Sequence, residues 1–352
     1  MGLEEFWFVL IAVLWAGYFV LEGFDFGVGM LLAILPRNER QRSTMFEAIG
    51  PVWDGNEVWL VVAGGATFAA FPAWYATMFS GFYLALLLIL VLLIVRVVSF
   101  EWREKSDDPR WRAVWQWANT VGSTGAAFVW GVALANLVHG VPLNSDGDFT
   151  GDFLDLFSAY TVLAGLAVVL LFALHGAIFL TLRTRGALCE RAAAAARRLC
   201  LPVAVVVVAF LAATVAVAVD RNERGVLGPA VPAVLGGAAI VAAVVFVLAR
   251  RSGWAFVMTA LTAVAAVATI FTGLYPRVLV SHPSFDNSLT ISSAASGHYA
   301  LVVITVVAAI FTPIVLLYQG WTYHVFRARL GGEEPGTPVQ AVERTTAGLP
   351  SR

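Results

Sequence analysis

The sequence predicts an all-α polytopic membrane protein with nine transmembrane helices, its N-terminus outside the cell and its C-terminus in the cytoplasm. Of its 352 residues, 60% are hydrophobic and only 13% are charged, whereas charged residues make up about 25% of an average soluble domain. This composition excludes a water-soluble globule, a disordered chain and a nucleic-acid-binding protein. Long continuous apolar runs also exclude a transmembrane β-barrel, because barrel strands alternate in polarity.

Nine segments are apolar over the roughly 20 residues that a membrane-spanning helix needs. They are residues 6–33, 50–70, 74–100, 113–138, 156–182, 199–219, 229–249, 254–275 and 297–326. The first segment lacks the basic start and the cleavage site of a signal peptide, so we expect a retained helix. Residues 1–330 then form one transmembrane helical domain. Residues 331–352, rich in Gly, Pro, Thr and Glu, are predicted to be a disordered cytoplasmic tail.

Basic residues in the connecting loops orient these helices. Alternate loops hold most of the arginines, as in Arg37, Arg40 and Arg42 after the first segment, and the loops between them hold few. The positive-inside rule assigns the basic loops to the cytoplasm, which puts the N-terminus outside and the C-terminus inside. Because the two ends then lie on opposite sides of the membrane, the number of spans must be odd, as nine is. On this side of the membrane, which is reducing, Cys189 and Cys200 are expected to be free thiols.

Four acidic residues interrupt the apolar helices. Glu22 and Asp25 lie in the first segment, and Asp54 and Glu57 lie in the second. Each pair is spaced three residues apart and therefore shares one face of its helix. A charge at the bilayer centre costs at least about 2.5–3.5 kcal/mol, so buried acids point to a specific role. The predicted orientation puts all four in the cytoplasmic half of the membrane.

Arg96, in the third segment, is the expected counter-ion for these acids, with Glu101 following it as a further charged support. Three interpretations remain open, of which direct binding of a substrate by the acids is the least favoured. The acids form a proton or cation path, which suits carboxyl groups because burial favours their proton-carrying neutral form. Alternatively, they form an ion-paired core that only fixes the register of the helices. We favour the proton path.

Three further polar residues, Asn119, Asn136 and His175, either extend this path or form hydrogen bonds between helices, and the second role is the more common. His175 is the only histidine deep inside a helix, and no two histidines face each other at one depth. We therefore expect no haem ligand and no metal site in this chain. Trp53, beside Asp54, fits the interfacial aromatic belt better than its alternative, the wall of a quinone site.

Three runs of residues resemble subunit II of the cytochrome bd family of quinol oxidases, and the similarity extends to about residue 326. They are EGFDFGVG at residues 22–29, GPVWDGNEVWL at residues 50–60 and RVVSFE at residues 96–101. The second run is long, rich in Trp, Gly and Asn, and highly specific. Shorter matches follow at residues 136–142, 275–277 and 287–290.

The resemblance implies a complex of the bacterial cytoplasmic (inner) membrane that oxidises quinol and reduces oxygen to water with cytoplasmic protons. Haems b and d are expected in the partner subunit I, and this chain is expected to support that subunit and to bind no haem. The resemblance implies that Asp54 is the family's channel aspartate, that Asp25 is the other aspartate of the first-helix motif, and that Glu57 is exchangeable with Gln. Some members hold a quinone in this subunit. Membrane lipid and small single-helix accessory subunits are further expected partners.

A proton-coupled secondary transporter is the alternative function, because buried acids are equally expected in such a protein. Transporters typically contain internal repeats with broken helices at mid-membrane, and neither is clear in this sequence. A membrane scaffold whose ion pairs only fix helix register is the third possibility.

Overall fold

The computed structural model describes residues 2–223 and 225–331 and is mostly helical. The helices are α1 (Leu3–Leu31), α2 (Glu39–Ile49), α3 (Trp53–Ala70), α4 (Pro72–Gly81), α5 (Tyr83–Trp102), α6 (Pro109–His139), α7 (Ala159–Arg183), α8 (Gly186–Arg221), α9 (Leu227–Leu248), α10 (Ser252–Leu274), α11 (Ile291–Ala294) and α12 (His298–Val325). An antiparallel pair of short strands, β1 (Arg277–Leu279) and β2 (Leu289–Thr290), lies between α10 and α11. Apart from Gly331, the tail predicted for residues 331–352 lies outside the described residues.

Eight helices among the described residues are long and apolar enough to cross a membrane, namely α1, α5 to α10, and α12. The chain is therefore a multi-pass membrane protein, with eight such helices where the sequence predicts nine. The remaining predicted span, residues 50–70, corresponds to α3. This helix has 18 residues, and its first two turns hold Asp54, Asn56 and Glu57, which make it more polar than the others.

Two of the predicted segments differ in extent from the observed helices. Residues 74–100 are divided at Phe82 into α4 and α5, and α4 begins with Pro72, a residue favoured in the first turn of a helix. The helix predicted to start near residue 199 begins at Gly186. Its first turns are rich in alanine and arginine, and both residues favour helix strongly. The arginines make these turns too polar to be predicted as part of a membrane span.

The helix ends that carry most of the arginines meet at one end of the bundle, which we call the basic end. There Arg103, after α5, forms an ion pair with Glu39 of α2. Arg191 of α8 donates a hydrogen bond of 2.7 Å to the carbonyl of Leu35, just beyond α1. The amphipathic helix α2, whose N-terminus is capped by the Asn38 side chain, lies at this end.

Helix α1 lies at the centre of the bundle, in contact with α3, α6, α7 and α10. It approaches α7 most closely where Gly27 faces Gly176, since a Cβ atom on either glycine would overlap the backbone of the other helix. Helix α12 lies at the periphery against α1 and α3, and Leu301 is its one buried residue. The central position of α1 brings its two buried acids, Glu22 and Asp25, next to side chains from α3 and α5.

Candidate functional site

Arg96 of α5 forms the centre of a buried group of charges. Its Nη1 atom lies 2.7 Å from Oε1 of Glu22 on α1 and 3.2 Å from Oε2 of Glu57 on α3. The guanidinium carbon also lies 4.8 Å from the ring centroid of Phe26, a distance suited to a cation–π contact. Arg96 therefore joins three helices through two ion pairs.

Helix α6 holds the backbone of Arg96 in position. The Asn119 side chain donates hydrogen bonds of 2.9 Å to the Ser99 hydroxyl and 3.3 Å to the Arg96 carbonyl. Gly122 allows this approach, because a Cβ atom there would come too close to the backbone of α5. Asn119 thus supports Arg96 from the α6 side, and its amide group bonds to α5 rather than to the carboxyl groups.

Asp25 belongs to the same group through Asn56. The Nδ2 atom of Asn56 donates to Oδ2 of Asp25 at 2.6 Å and to the carbonyl of Leu21 at 3.3 Å. The Oδ1 atom of Asn56 accepts from the Tyr323 hydroxyl at 2.7 Å and from Nε2 of Gln319 at 3.3 Å. Asn56 therefore links α1 and α3 to α12. We call Glu22, Asp25, Asn56, Glu57 and Arg96 the Arg96 cluster.

The Arg96 cluster holds three carboxyl groups and one guanidinium. Glu22, Asp25 and Arg96 have no exposed surface, and the Glu57 side chain is 18% exposed. Within the described part of the chain, Oε2 of Glu22, Oδ1 of Asp25 and Nε of Arg96 have no hydrogen-bond partner. Because uncompensated buried charge is costly, protons on the surplus carboxyl groups would balance the cluster. The arrangement is chemically suited to accepting and passing on protons.

Three other predicted site residues lie outside this cluster. Asp54, one turn before Glu57 on α3, is exposed on the surface of the bundle. Glu101 is also exposed and, within the described ranges, forms no ion pair with Arg96. Trp53 is half-buried and stacks on Phe100, with ring centroids 5.4 Å apart.

Asn136 and His175 make contacts between helices and do not reach the cluster. The Asn136 side chain donates to the carbonyls of Val132 and Leu156 at 2.8 and 2.9 Å. Nδ1 of His175 lies 2.7 Å from the Thr259 hydroxyl, and Nε2 lies 3.3 Å from a backbone carbonyl of α1. Because both ring nitrogens already have protein partners, His175 does not fit a haem ligand.

The described residues contain no group of three or more His, Cys, Asp or Glu side chains arranged to hold a metal ion. Cys189 and Cys200 are free thiols. The side chains of the Arg96 cluster supply carboxyl, amide and guanidinium groups.

The model of one protein family, described as cytochrome bd terminal oxidase subunit II, matches residues 3–326. The chain belongs to this family. It is 42% identical to the cytochrome bd ubiquinol oxidase subunit 2 of Bacillus subtilis, over 96% of this chain and 99% of that protein. It is 36% identical to the cytochrome bd-I ubiquinol oxidase subunit 2 of Escherichia coli K12, over 99% of this chain and 98% of that protein.

A solved structure, titled "The structure of bd oxidase from Geobacillus thermodenitrificans", has the same fold. The TM-score is 0.73 over 92% of this chain and 97% of that chain, at 19% sequence identity. The resemblance to cytochrome bd subunit II is thus confirmed by the family and by its relatives. Membership of the subunit II family favours an oxidase subunit over a secondary transporter or a scaffold.

Sequence reasoning about this subunit II family member missed three residues of the site. Asn56 lies between Asp54 and Glu57 in the most polar part of α3, which was a usable signal. Gln319 and Tyr323 are polar residues four positions apart in the more polar last part of α12, so they share one face of that helix. Their contact with Asn56 depends on how α12 packs, which their spacing alone does not reveal.

Proposed function

We propose that this chain is subunit II of a quinol:oxygen oxidoreductase in the bacterial cytoplasmic membrane. Its partner is a haem-bearing subunit I with haems b and d, and the complex oxidises quinol and reduces oxygen to water. The support comes from relatives named as subunits of ubiquinol oxidases, which match this chain over nearly its whole length. In this proposal the chain performs no redox step itself. It supports subunit I and contributes to the path that brings protons from the cytoplasm.

The single observation that carries the proton-path role is the Arg96 cluster inside an apolar bundle, where two carboxyl groups pair with one guanidinium and a third, that of Asp25, is joined to them through Asn56. An ion-paired core needs charges in balance, and this cluster has more acids than a register-fixing pair requires. Acids buried within a membrane typically mark proton relays. Buried polar atoms also need partners, and water molecules beside Glu22 and Asp25 would connect the carboxyl groups.

Burial of the acids increases stepwise along the proposed path. Asp54 is exposed, the Glu57 side chain is 18% exposed, and Glu22 and Asp25 have no exposed surface. Asp54 and Glu57 are separated by one helical turn on α3. We infer that protons enter at Asp54, pass to Glu57 and reach the buried pair on α1, while Arg96 holds the carboxyl groups together.

The proposed orientation places the basic end in the cytoplasm and the N-terminus of α1 outside. Asp25 lies six residues before the end of α1 at Leu31, which is about 9 Å at 1.5 Å per residue. The acids then lie nearer the cytoplasm than the outer surface. We count α3 as a ninth crossing, and α4 with α5 as a single crossing that is broken at Phe82.

We infer that subunit I covers the face formed by α3 and α12. On α3 this face carries Asp54 next to exposed apolar side chains, such as Val61 at 71% exposure. A carboxyl group facing lipid would be costly, whereas a protein partner supplies hydrogen bonds. Only 6% of the residues in the most apolar stretch of α12 are buried, so this helix offers a large surface for such a partner.

Purification of the tagged chain from its host membrane tests the assignment. We expect a second, larger subunit to co-purify with haem absorbance, and the complex to consume oxygen when quinol is added. The control is the same purification of a tagged Arg96→Ala chain. We expect this variant to assemble poorly, so any haem protein recovered with it measures non-specific binding. A colourless protein purified alone, with solute uptake activity in vesicles, would contradict the assignment and favour the transporter.

A further inference from the structure

A chain of hydrogen bonds leads from α3 through α12 to the Asp25 carboxyl group. The Trp59 indole donates from Nε1 to Oε1 of Gln319 at 2.9 Å. Nε2 of Gln319 and the Tyr323 hydroxyl both donate to Oδ1 of Asn56, at 3.3 and 2.7 Å. Nδ2 of Asn56 then donates to Oδ2 of Asp25 at 2.6 Å.

The chemistry of these groups determines which way each amide faces. An indole N–H donates and cannot accept, so the Gln319 carbonyl oxygen must face Trp59. The amide nitrogen of Gln319 then faces Asn56 and requires an acceptor there. The Asn56 oxygen fills that role, which leaves its NH₂ group to face Asp25. Tyr323 reinforces this orientation by donating to the same oxygen.

The first member of the chain is itself held in place. The Trp59 ring lies against Gly17 of α1, where a Cβ atom would overlap the six-membered ring of the indole. The close contact of ring and glycine fixes the position of the indole N–H. The orientation of Asn56 is thus determined on one side by the Leu21 carbonyl of α1, which accepts from Nδ2, and on the other by the bonds that lead from Trp59 and α12 to Oδ1.

The orientation of Asn56 matters for proton exchange at Asp25. An NH₂ group that donates to a carboxylate stabilises its ionised form. If the amide rotated by half a turn, its oxygen would face Asp25 and would require a proton on the carboxyl group. We propose that Trp59, Gln319 and Tyr323 are positioning residues that lock Asn56 as a donor and thereby set the pH range over which Asp25 takes up and releases protons. This inference rests on the proposed function, in which Asp25 carries protons.

Several other groups face Asp25 or its helix and also influence its proton exchange. The charged and titratable ones are Glu22 on α1, Glu57 on α3, Arg96 on α5, Tyr323 on α12 and His175 on α7. Helix α6 contributes the neutral side chains of Asn119, Thr120 and Ser123, and α10 contributes Thr259. Apart from the Tyr323 hydroxyl, the substitutions below leave all of these groups in place, so a change in pH dependence reports on the Asn56 amide.

The test is the pH profile of quinol-driven oxygen consumption by the purified two-subunit complex, with haem content as the measure of assembly. Tyr323→Phe combined with Gln319→Met removes both donors to Asn56. Without these donors only the Leu21 carbonyl, 3.3 Å from Nδ2, holds the Asn56 amide in its orientation, and its oxygen is then free to turn toward Asp25. Because the amide oxygen requires a proton on the carboxyl group, we expect the pH of half-maximal activity on the alkaline side to rise by about one unit. Asn56→Leu should raise it similarly, and adding Tyr323→Phe to Asn56→Leu should cause no further shift.

Tyr160→Phe is the matched control, because it also removes a buried tyrosine hydrogen bond, of 3.0 Å to Thr214, far from the cluster. Its pH profile should equal that of the wild type. Trp59→Phe is the second test variant, since it keeps a smaller aromatic ring at this position and removes the indole N–H. We expect a shift of the same sign in Trp59→Phe.

Two outcomes separate the inference from the proposed function. If the pH profile is unchanged in Trp59→Phe and in the double variant, while Asp25→Asn slows turnover, the positioning role is wrong and the proton path stands. If Asp25→Asn keeps wild-type turnover and pH dependence, the proton role of Asp25 is wrong, and the positioning inference fails with it.

Discussion

Arg96 and Glu22 form an ion pair of 2.7 Å between Nη1 and Oε1, and neither side chain has any exposed surface. The pair connects α5 to α1, and its neighbours Glu57 and Asp25 bring in α3 and, through Asn56, α12. Removing a charge from water is favourable only when strong partners replace the water. The Arg96 cluster is therefore both a structural junction and, in our proposal, the proton-carrying part of the subunit.

Arg96→Ala should impair assembly of the complex. It removes the one cation among the buried carboxyl groups, and breaking a buried ion pair typically costs about 3–5 kcal/mol. We expect the yield of haem-containing complex to fall several-fold, measured by absorbance per milligram of membrane protein. The control is Arg250→Ala, whose pair with Glu190 is 3.8 Å long and 67% exposed on both sides. Exposed pairs contribute about 1 kcal/mol or less, so a similar loss in both variants would contradict a special role for Arg96.

Asp54→Asn should preserve assembly but slow oxygen reduction. Asp54 is exposed on α3 and supports no ion pair among the described residues, whereas the amide that replaces it cannot transfer a proton. We expect turnover at neutral pH to fall by at least about tenfold, with normal haem content. Asp107→Asn removes another exposed carboxyl group, one paired with Arg112 at the basic end, and should leave turnover unchanged. Wild-type turnover in Asp54→Asn would exclude this residue from the path.

Gly27→Leu should prevent the close contact between α1 and α7. The leucine side chain would have to occupy the space of the Phe172 and Gly176 backbone, and overpacking of this kind typically costs about 1–3 kcal/mol or more. We expect reduced complex yield and a lower midpoint in thermal unfolding. Gly237→Leu is the matched control, because nothing lies within 4 Å of a Cβ atom at that position. Equal stability of the two variants would show that the glycine contact is not required.

Labelling from outside the cell tests the proposed orientation and the crossing by α3. In a background of Cys189→Ser and Cys200→Ser, Ala73→Cys on α4 should react with a membrane-impermeant thiol reagent added outside. Glu47→Cys on α2 should react only after the membrane is opened. A fluorescent protein fused after residue 330 should be fluorescent, as expected in the cytoplasm. Protection of Ala73→Cys together with external labelling of Glu47→Cys would reverse the orientation.

The sequence was sufficient to identify the acids and Arg96, because charges are conspicuous in apolar helices. It could not show which carboxyl groups would meet the arginine, since that depends on how α1, α3 and α5 cross. Asp54 and Glu57 share a helical face, yet only Glu57 lies close enough to Arg96 to pair with it. Glu101 lies five residues after Arg96, and at about 100° per residue the two point about 140° apart, which explains why Glu101 is exposed.

The role of α12 was beyond sequence reasoning for a different reason. Gln319 and Tyr323 are more than 260 positions from Asn56, and helical spacing relates only residues on the same helix. The all-helical class followed directly from composition. The number of spans did not follow from composition. Helix α3 has a polar first half and is only as long as a short transmembrane helix, so its composition does not decide whether it crosses the membrane.

The rate of proton uptake by the purified complex tests the central claim most directly. Glu22→Gln, in the Arg96 cluster, removes a proton-carrying group while keeping the shape of the side chain. The complex is placed in liposomes with a pH-sensitive dye on the side that the basic end faces. We predict that proton uptake during one round of oxygen reduction is at least about tenfold slower in Glu22→Gln than in the wild type, at equal haem content. Proton uptake at the wild-type rate in a fully assembled Glu22→Gln complex would contradict the account.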